Sequence, residues 1–310
     1  MTDNSKNKAP KLQIAVPVFN QAAAIRIAGP ILEEIYLSRP SEIGILVSDN
    51  ASSDETRRAV HEAMPSAKYL LQDSNVGMEL NMRHLLSSSE SEFIWFLGAG
   101  DTPKGDIGGL LHTLETADKK VALFIPEYSA TDGFASSICE VIWRTCELRT
   151  AVLEKARFDN ISHLQEEWVG DMWPHVSHAY NIQSRGHAVL KIAGMEQIGY
   201  SDSQEWHVKN RMYPFAVDLL KTVQRFAEEK EGLVKRQDLA KVRQTLATWY
   251  TQDLFSCKVE NKWKGIHGLF LRISPFDLTF RQSVNLMIAQ LTPRFFLQSR
   301  MRRKRTQFQR

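Results

Sequence analysis

Two acids of this 310-residue chain sit where side-chain chemistry is easiest to build, Asp49 and Asp101. Asp49 follows the short apolar run Ile45-Leu46-Val47 and Ser48, and opens Asn50-Ala51-Ser52-Ser53-Asp54-Glu55-Thr56. An apolar run of that length suits a strand buried on both faces, and Ser and Asp stop it and offer caps for a following helix. Asp49 then lies at the carboxyl end of a buried parallel strand, where open α/β sheets bind ligands. Asp101 follows Phe93 to Leu97 and the small turn Gly98-Ala99-Gly100. Small residues leave room for a carboxylate to approach a divalent cation, and Mg²⁺ or Mn²⁺ needs only one or two protein carboxylates when phosphates supply the remaining oxygens. Each acid also has a plainer reading: a strand-to-helix turn rich in capping residues at Asp49, and a turn cap ahead of Thr102-Pro103 at Asp101.

The elements that would position these acids alternate along the chain. Short strands are predicted at Leu12 to Val16, Ile43 to Val47, Tyr69 to Leu71, Phe93 to Leu97 and Val121 to Ile125. Helical patterns separate them: Gln21 to Leu37, about Asp54 to Met64, a helix after Asn75-Val76-Gly77 carrying Leu80, Leu85 and Leu86, and Asp106 to Leu114. This order predicts an α/β fold, a mostly parallel sheet with helices on both faces. No Gly-x-Gly-x-x-Gly follows the first strand and no Gly-x-x-x-x-Gly-Lys-Ser/Thr appears, which disfavours a dinucleotide fold and a P-loop. Residues 129 to 165 show little pattern beyond a strand and a helix around Ile142 to Leu153. A dense group, Trp168, Asp171, Trp173, His175 and His178, follows, and Ala188 to Ile192 reads as a further strand. From about residue 203 the chain reads as mainly α-helical, with Phe215, Leu219 and Phe226 on one face and Leu239, Val242, Leu246 and Trp249 on another.

Composition narrows the class. Hydrophobic residues are 43% and charged residues 24%, ordinary for a globular chain. No apolar run approaches the roughly 20 residues of a membrane span. The first 11 residues are a polar tail without a signal-peptide core, so export is not expected. Cys139, Cys146 and Cys257 are an odd set without a Cys-x-x-Cys pair, which fits a reducing compartment better than a disulfide framework or zinc site. Net charge is +3, yet the last 17 residues carry seven basic groups and no acid. The 293 residues before them hold 32 basic and 36 acidic residues.

Taken together, four segments resemble family-two glycosyltransferases of the GT-A fold. Val16-Pro17-Val18-Phe19-Asn20 resembles the family's opening Val-Pro-x-Tyr/Phe-Asn, and Val47 to Thr56 resembles its Val-x-Asp-Asn-x-Ser-x-Asp-x-Thr signature. Asn75-Val76-Gly77, with Asn81 after it, resembles its third segment, and Phe93 to Asp101 stands where its strand ends in an Asp-x-Asp metal motif. The order is right over residues 12 to 125, about 40% of the chain. The resemblance implies a GT-A, Rossmann-like domain over 12-202, with a nucleotide half at 12-128 and an acceptor half at 129-202. The helical region would occupy 203-293 and the basic tail 294-310.

Roles follow from the resemblance. Pro17, Phe19 and Asn20 would border the nucleotide, Asp49 would accept a hydrogen bond from the base, and Asn75 and Gly77 would line the ribose or diphosphate. Asp101 would hold a divalent metal, Mn²⁺ or Mg²⁺, against the leaving diphosphate. The first acid of the Asp-x-Asp pair is Ala99 here. Leu-Gly-x-x-Asp variants of this kind occur in the related abequosyl- and rhamnosyl-type polysaccharide transferases, which this segment resembles. An inverting transfer also needs a general base beyond the metal motif, for which Asp171 and Glu167 are the candidates, with Glu166 beside them. Trp168 and Trp173 would stack on a sugar. Asp171, Trp173 and Pro174 equally suit a helix start, and His175 reads as a packed residue rather than a metal ligand.

The resemblance implies an inverting hexosyl- or deoxyhexosyltransferase of O-antigen- or capsule-like polysaccharide assembly. Its partners would be a nucleotide-diphosphate sugar and a saccharide or lipid-linked acceptor. The tail, with Leu291, Phe295, Phe296 and Leu297 among its basic residues, suits peripheral docking on an anionic membrane, placing the protein in the cytoplasm or on the cytoplasmic face of the inner membrane. Nucleic-acid binding through the tail is the less coherent use, and none is expected. The alternative from another class is a non-catalytic carbohydrate-binding or scaffold protein on a decayed transferase fold, motivated by Ala99.

Overall fold

A computed structural model describes residues 9–127, 133–134, 152–154, 174–199, 219–228 and 239–240. The chain divides into two compact units, Met1–Asp202 and Ser203–Arg310.

The first unit alternates as the apolar spacing predicts. Strand β1 (Leu12–Val18) leads to α1 (Ala22–Ser38), β2 (Ile43–Asp49) to α2 (Thr56–Ala63), and β3 (Lys68–Leu71) to α3 (Met78–Ser88). Then come β4 (Phe93–Phe96), β5 (Asp101–Gly105), α4 (Ile107–Thr116) and β6 (Val121–Glu127). Short strands β7 (Gly133–Phe134) and β8 (Val152–Glu154) precede α5 (Pro174–Ser184), β9 (Ala188–Ala193) and β10 (Met195–Gly199). The larger sheet has the order β3-β2-β1-β4-β8-β6-β9-β7, and β5 and β10 form a separate two-stranded sheet. The ladders β3-β2, β2-β1, β1-β4 and β6-β9 are parallel, while β8 is antiparallel to both its neighbours.

Period-two alternation sorts the strand residues between two cores. Leu12, Ile14, Val16 and Val18 of β1, Ile43, Ile45 and Val47 of β2, and Phe93 and Trp95 of β4 belong to one cluster with residues of α1, α2 and α4. Ala15, Leu46, Ile94 and Phe96, the residues between them, belong to the other with Met82, Leu85 and Leu86 of α3 and Ala179 and Ile182 of α5. Both faces of the sheet are therefore covered, which is why these strands are continuously apolar. α1 and α2 approach closely at Gly29, where a Cβ would come within 2.7 Å of the Ala63 Cβ.

Two elements differ from the sequence expectation, and a third agrees with it. Asp101, expected in a turn ahead of a helix, opens strand β5. Its partner β10 is some ninety residues downstream, and β5 carries Pro and Gly in place of an alternating pattern, so nothing local announces it. The Gly194 turn, with φ of 78°, breaks the predicted Ala188 strand from β10. Pro174 begins α5 at its first residue, a position that needs no backbone N–H.

In the second unit, α6 (Leu219–Glu228) buries Thr222, Val223 and Phe226 completely. No helix among the described residues is long and apolar enough to cross a membrane.

Candidate functional site

Parallel β1, β2, β3 and β4 put four connections on one edge of the sheet: 19–21, 50–55, 72–77 and 97–100. The strand order reverses between β1 and β4, and a crevice opens beyond the carboxyl ends of strands at such a point. Asp49 is the last residue of β2, and the turn to Asp101 leaves β4. Strand β1 runs between them, so the two acids share that edge, separated by two strand spacings of about 5 Å each.

The first two loops are braced to each other. Asn20 N donates to Ser52 Oγ at 2.8 Å, and Ser53 N donates to Asn20 Oδ1 at 2.8 Å. Asn20 holds a left-handed φ of 53° to do this, a conformation Asn tolerates. At the next step Gln21 N donates to Thr56 Oγ1 at 2.8 Å and Ala22 N to Asp54 Oδ2 at 3.3 Å. These amides at the start of α1 have no intrahelical partner, so the second loop supplies them. Asp54 Oδ1 accepts in turn from Thr56 N and Thr56 Oγ1. Burial pulls the Asp54 carboxyl upward, but the bonds from Thr56 and Ala22 outweigh it and hold the pKa below the usual aspartate value. The Ser, Asp and Thr of the second loop thus fix the backbone of the first.

Asp49 was expected to face a nucleobase. Its carboxylate is instead turned inward, 1% exposed. Oδ1 accepts from Ser52 N at 2.8 Å and Oδ2 from the Tyr69 hydroxyl at 2.5 Å. Burial, and then this bond to Asp49, push the Tyr69 phenol well above its ordinary pKa. Behind Asp49, Asn81 Nδ2 donates to the Ser48 carbonyl at 3.0 Å, Ser48 Oγ donates to Asn81 Oδ1 at 2.6 Å, and Gln72 and His84 join the same network. This ties the end of β2 to α3.

Asn50 links the second and third loops. Its Oδ1 accepts from Val76 N at 2.8 Å and its Nδ2 donates to Asn75 Oδ1 at 2.9 Å; Asn75 Oδ1 also accepts from Gly77 N. Gly77 has φ of 85°, and no side chain caps α3, whose N-terminal dipole favours an anion. Two apolar side chains of these loops are exposed, Phe19 at 42% and Val76 at 36%. Pro17 is half-buried within β1.

Asp101 is half-buried at the end of the β4 turn. Its N donates to the Gly98 carbonyl at 2.9 Å, and Gly98 N donates back to Asp101 Oδ2 at 3.2 Å. Among the described residues no three His, Cys, Asp or Glu side chains converge into a metal cage. A single hard carboxylate on a small-residue turn nevertheless fits Mg²⁺ or Mn²⁺ if diphosphate oxygens complete the shell. Asp101 is the residue that would hold it.

Asp171, Glu167, Trp168 and Trp173, and the tail 294–310, lie outside the described residues, as does the side chain of His175. Tyr69 was not anticipated. It sits in a four-residue strand twenty positions from Asp49, and its spacing carried no sign of the contact.

Residues 13–164 match the family described as Glycosyl transferase family 2, just under half of the chain. The fold is GT-A, and this segment is similar to family 2 glycosyl transferase domains. Among solved structures, the mannosyltransferase PcManGT from Pyrobaculum calidifontis, in complex with GDP-Man and Mn²⁺, is similar over 92% of this chain and 87% of its own, with a TM-score of 0.52 and 12% identity. S. aureus TarS is similar over 90% of this chain, with a TM-score of 0.54 and 11% identity. The chain spans about half of TarS, 48% of its length. No curated protein sequence matches the chain.

Proposed function

We propose that this protein is an inverting glycosyltransferase that moves a hexosyl or deoxyhexosyl group from a nucleoside diphosphate sugar to a hydroxyl of a saccharide or lipid-linked oligosaccharide. The observation that carries the reading is the shared sheet edge, where the braced loops after β1 and β2 meet the Asp101 turn at the reversal of strand order. Phe19 and Val76 offer apolar surface to a base, and Pro17, Asn20, Asn75 and Gly77 shape the loops around it. Asp49, 1% exposed, acts from below by fixing Ser52 rather than by reaching into the crevice. Asn75 and Gly77, at the uncapped start of α3, lie on the diphosphate side. When bound, a divalent cation on Asp101 would neutralise charge on the departing diphosphate.

The acceptor hydroxyl loses its proton to a carboxylate, Asp171 or Glu167. The basic tail docks on anionic lipid, keeping the enzyme on the cytoplasmic face of the membrane, where lipid-linked acceptors of polysaccharide assembly would meet it. PcManGT's complex with GDP-Man and Mn²⁺ lends support to a nucleotide-sugar donor and a divalent metal here.

The decisive experiment is a thermal-shift screen of the purified protein against GDP, UDP and their sugars, with Mn²⁺ or EDTA, followed by donor turnover. A ligand at 100 times its Kd raises stability by about 2.7 kcal/mol. A Mn²⁺-dependent rise in Tm and metal-dependent donor turnover are expected. Sugar binding without any nucleotide response would favour the non-catalytic alternative and end this one.

A further inference from the structure

Asp101 is held from two sides, and only one of them belongs to the segment that matches the family. On the near side is the Gly98 turn. On the far side β5 pairs antiparallel with β10, with Asp101 opposite Gly199, Thr102 opposite Ile198 and Gly105 opposite Met195. Strand β10 lies beyond residue 164, where the family match ends. Thr102, Pro103 and Met195 are buried, so the ribbon is anchored in the protein and not hung from it.

The two strands approach closely at the end away from Asp101. Gly105 has φ of 131°, and a Cβ on it would lie 2.3 Å from the Gly194 carbonyl oxygen and 3.1 Å from the Met195 Cα. These are backbone atoms that no side-chain rotation can move aside. Gly194, just before β10, is also left-handed, with φ of 78°, but a Cβ there would meet nothing within 4 Å. The contact is therefore asymmetric: Gly105 is required by space and Gly194 only by backbone angle.

We infer that β10 is a positioning element of the donor site, with the Gly105–Gly194 contact fixing the register that aims Asp101. A strand's side chains alternate faces, so a one-residue slip of β5 on β10 would turn Asp101 to the opposite face of the ribbon. The bare contact at Gly105 opposes such a slip, because any other residue brought to that position would carry a Cβ into the Gly194 carbonyl. This inference rests on the reading of Asp101 as the metal-holding residue, and the two can be tested apart.

The test measures Mn²⁺ binding by the paramagnetic signal of free Mn²⁺, with GDP or UDP present, alongside nucleotide affinity in EDTA. Gly105→Ala is expected to weaken Mn²⁺ binding at least tenfold with circular dichroism and metal-free nucleotide affinity unchanged. Asp101→Asn should abolish nucleotide-dependent Mn²⁺ binding. Folded Gly105→Ala protein with wild-type Mn²⁺ affinity overturns the role of β10, whereas wild-type affinity in Asp101→Asn overturns the reading of Asp101 itself. If Gly105→Ala does not fold, hydrogen exchange on the wild-type protein decides. Mn²⁺ with nucleotide should slow exchange across 195–199 together with 101–105, and slowing confined to 98–105 refutes the inference.

Discussion

The Tyr69 hydroxyl donates to Asp49 Oδ2, joining β3 to the buried last residue of β2. Removing the hydroxyl strands a buried carboxylate oxygen. Tyr69→Phe should lower stability by about 1.5–3 kcal/mol, the usual worth of a hydrogen bond to a charged group. Denaturant midpoints at constant m-value check this. The raised phenol pKa adds a pH signature. The unfolded Tyr ionises near its ordinary 10.0 while the folded one stays neutral, so the wild type loses stability as pH climbs above 10.0, and Tyr69→Phe should lose less over that range.

Asp54 gives the opposite signature at the acid end. Its carboxylate serves the starts of both α1 and α2, so Asp54→Ala should cost about 1 kcal/mol at neutral pH, the typical value of a lost helix cap. The folded pKa lies below the ordinary 3.8, so this stabilisation is present above 3.8 and is lost as pH falls through the folded value. Thermal melts of wild type and Asp54→Ala should converge as the pH is lowered past that point. A constant gap at all pH values would mean the charge is not what holds the loops.

Ala51 occupies a left-handed φ of 59° in the loop after β2, where a Cβ is unfavourable. Glycine removes that strain but adds freedom to the unfolded chain, and the two effects partly cancel. Ala51→Gly should stabilise by on the order of 0.5 kcal/mol, read as a small rise in Tm. A fall in Tm would show that the loop holds Ala51 without strain.

At Gly98 a Cβ would sit 2.7 Å from Asp101 Oδ2. Gly98→Ala should therefore displace the carboxylate while leaving the strand ladders alone. The expected result is a lower Mn²⁺ affinity and at least a tenfold drop in donor turnover, with a Tm within a few degrees of wild type. Unchanged turnover would mean that the carboxylate's present position is not the one the reaction uses.

Much of the architecture was legible because it is local. Ile43 to Val47 and Phe93 to Leu97 are apolar on both faces, and capping residues mark their ends, so the alternation of strand and helix can be read directly. Asp101's place at the close of the β4 turn was legible for the same reason. Strand β8 was not, because it is three residues long, runs against its neighbours and has too little length to show a period.

The sequence by itself determined that a sheet of buried parallel strands would end in acids and small residues on one edge. Only the tertiary structure decided what those acids do there. It turned Asp49 inward onto Tyr69, made Asn20, Ser52 and Asp54 into braces between loops, and set Asp101 opposite Gly199. Each of these pairings joins residues separated by twenty to about a hundred positions. Strand and helix periods arise from neighbours within a few residues, whereas these contacts form only when the packed sheet brings distant loops together, so no spacing in the chain records them.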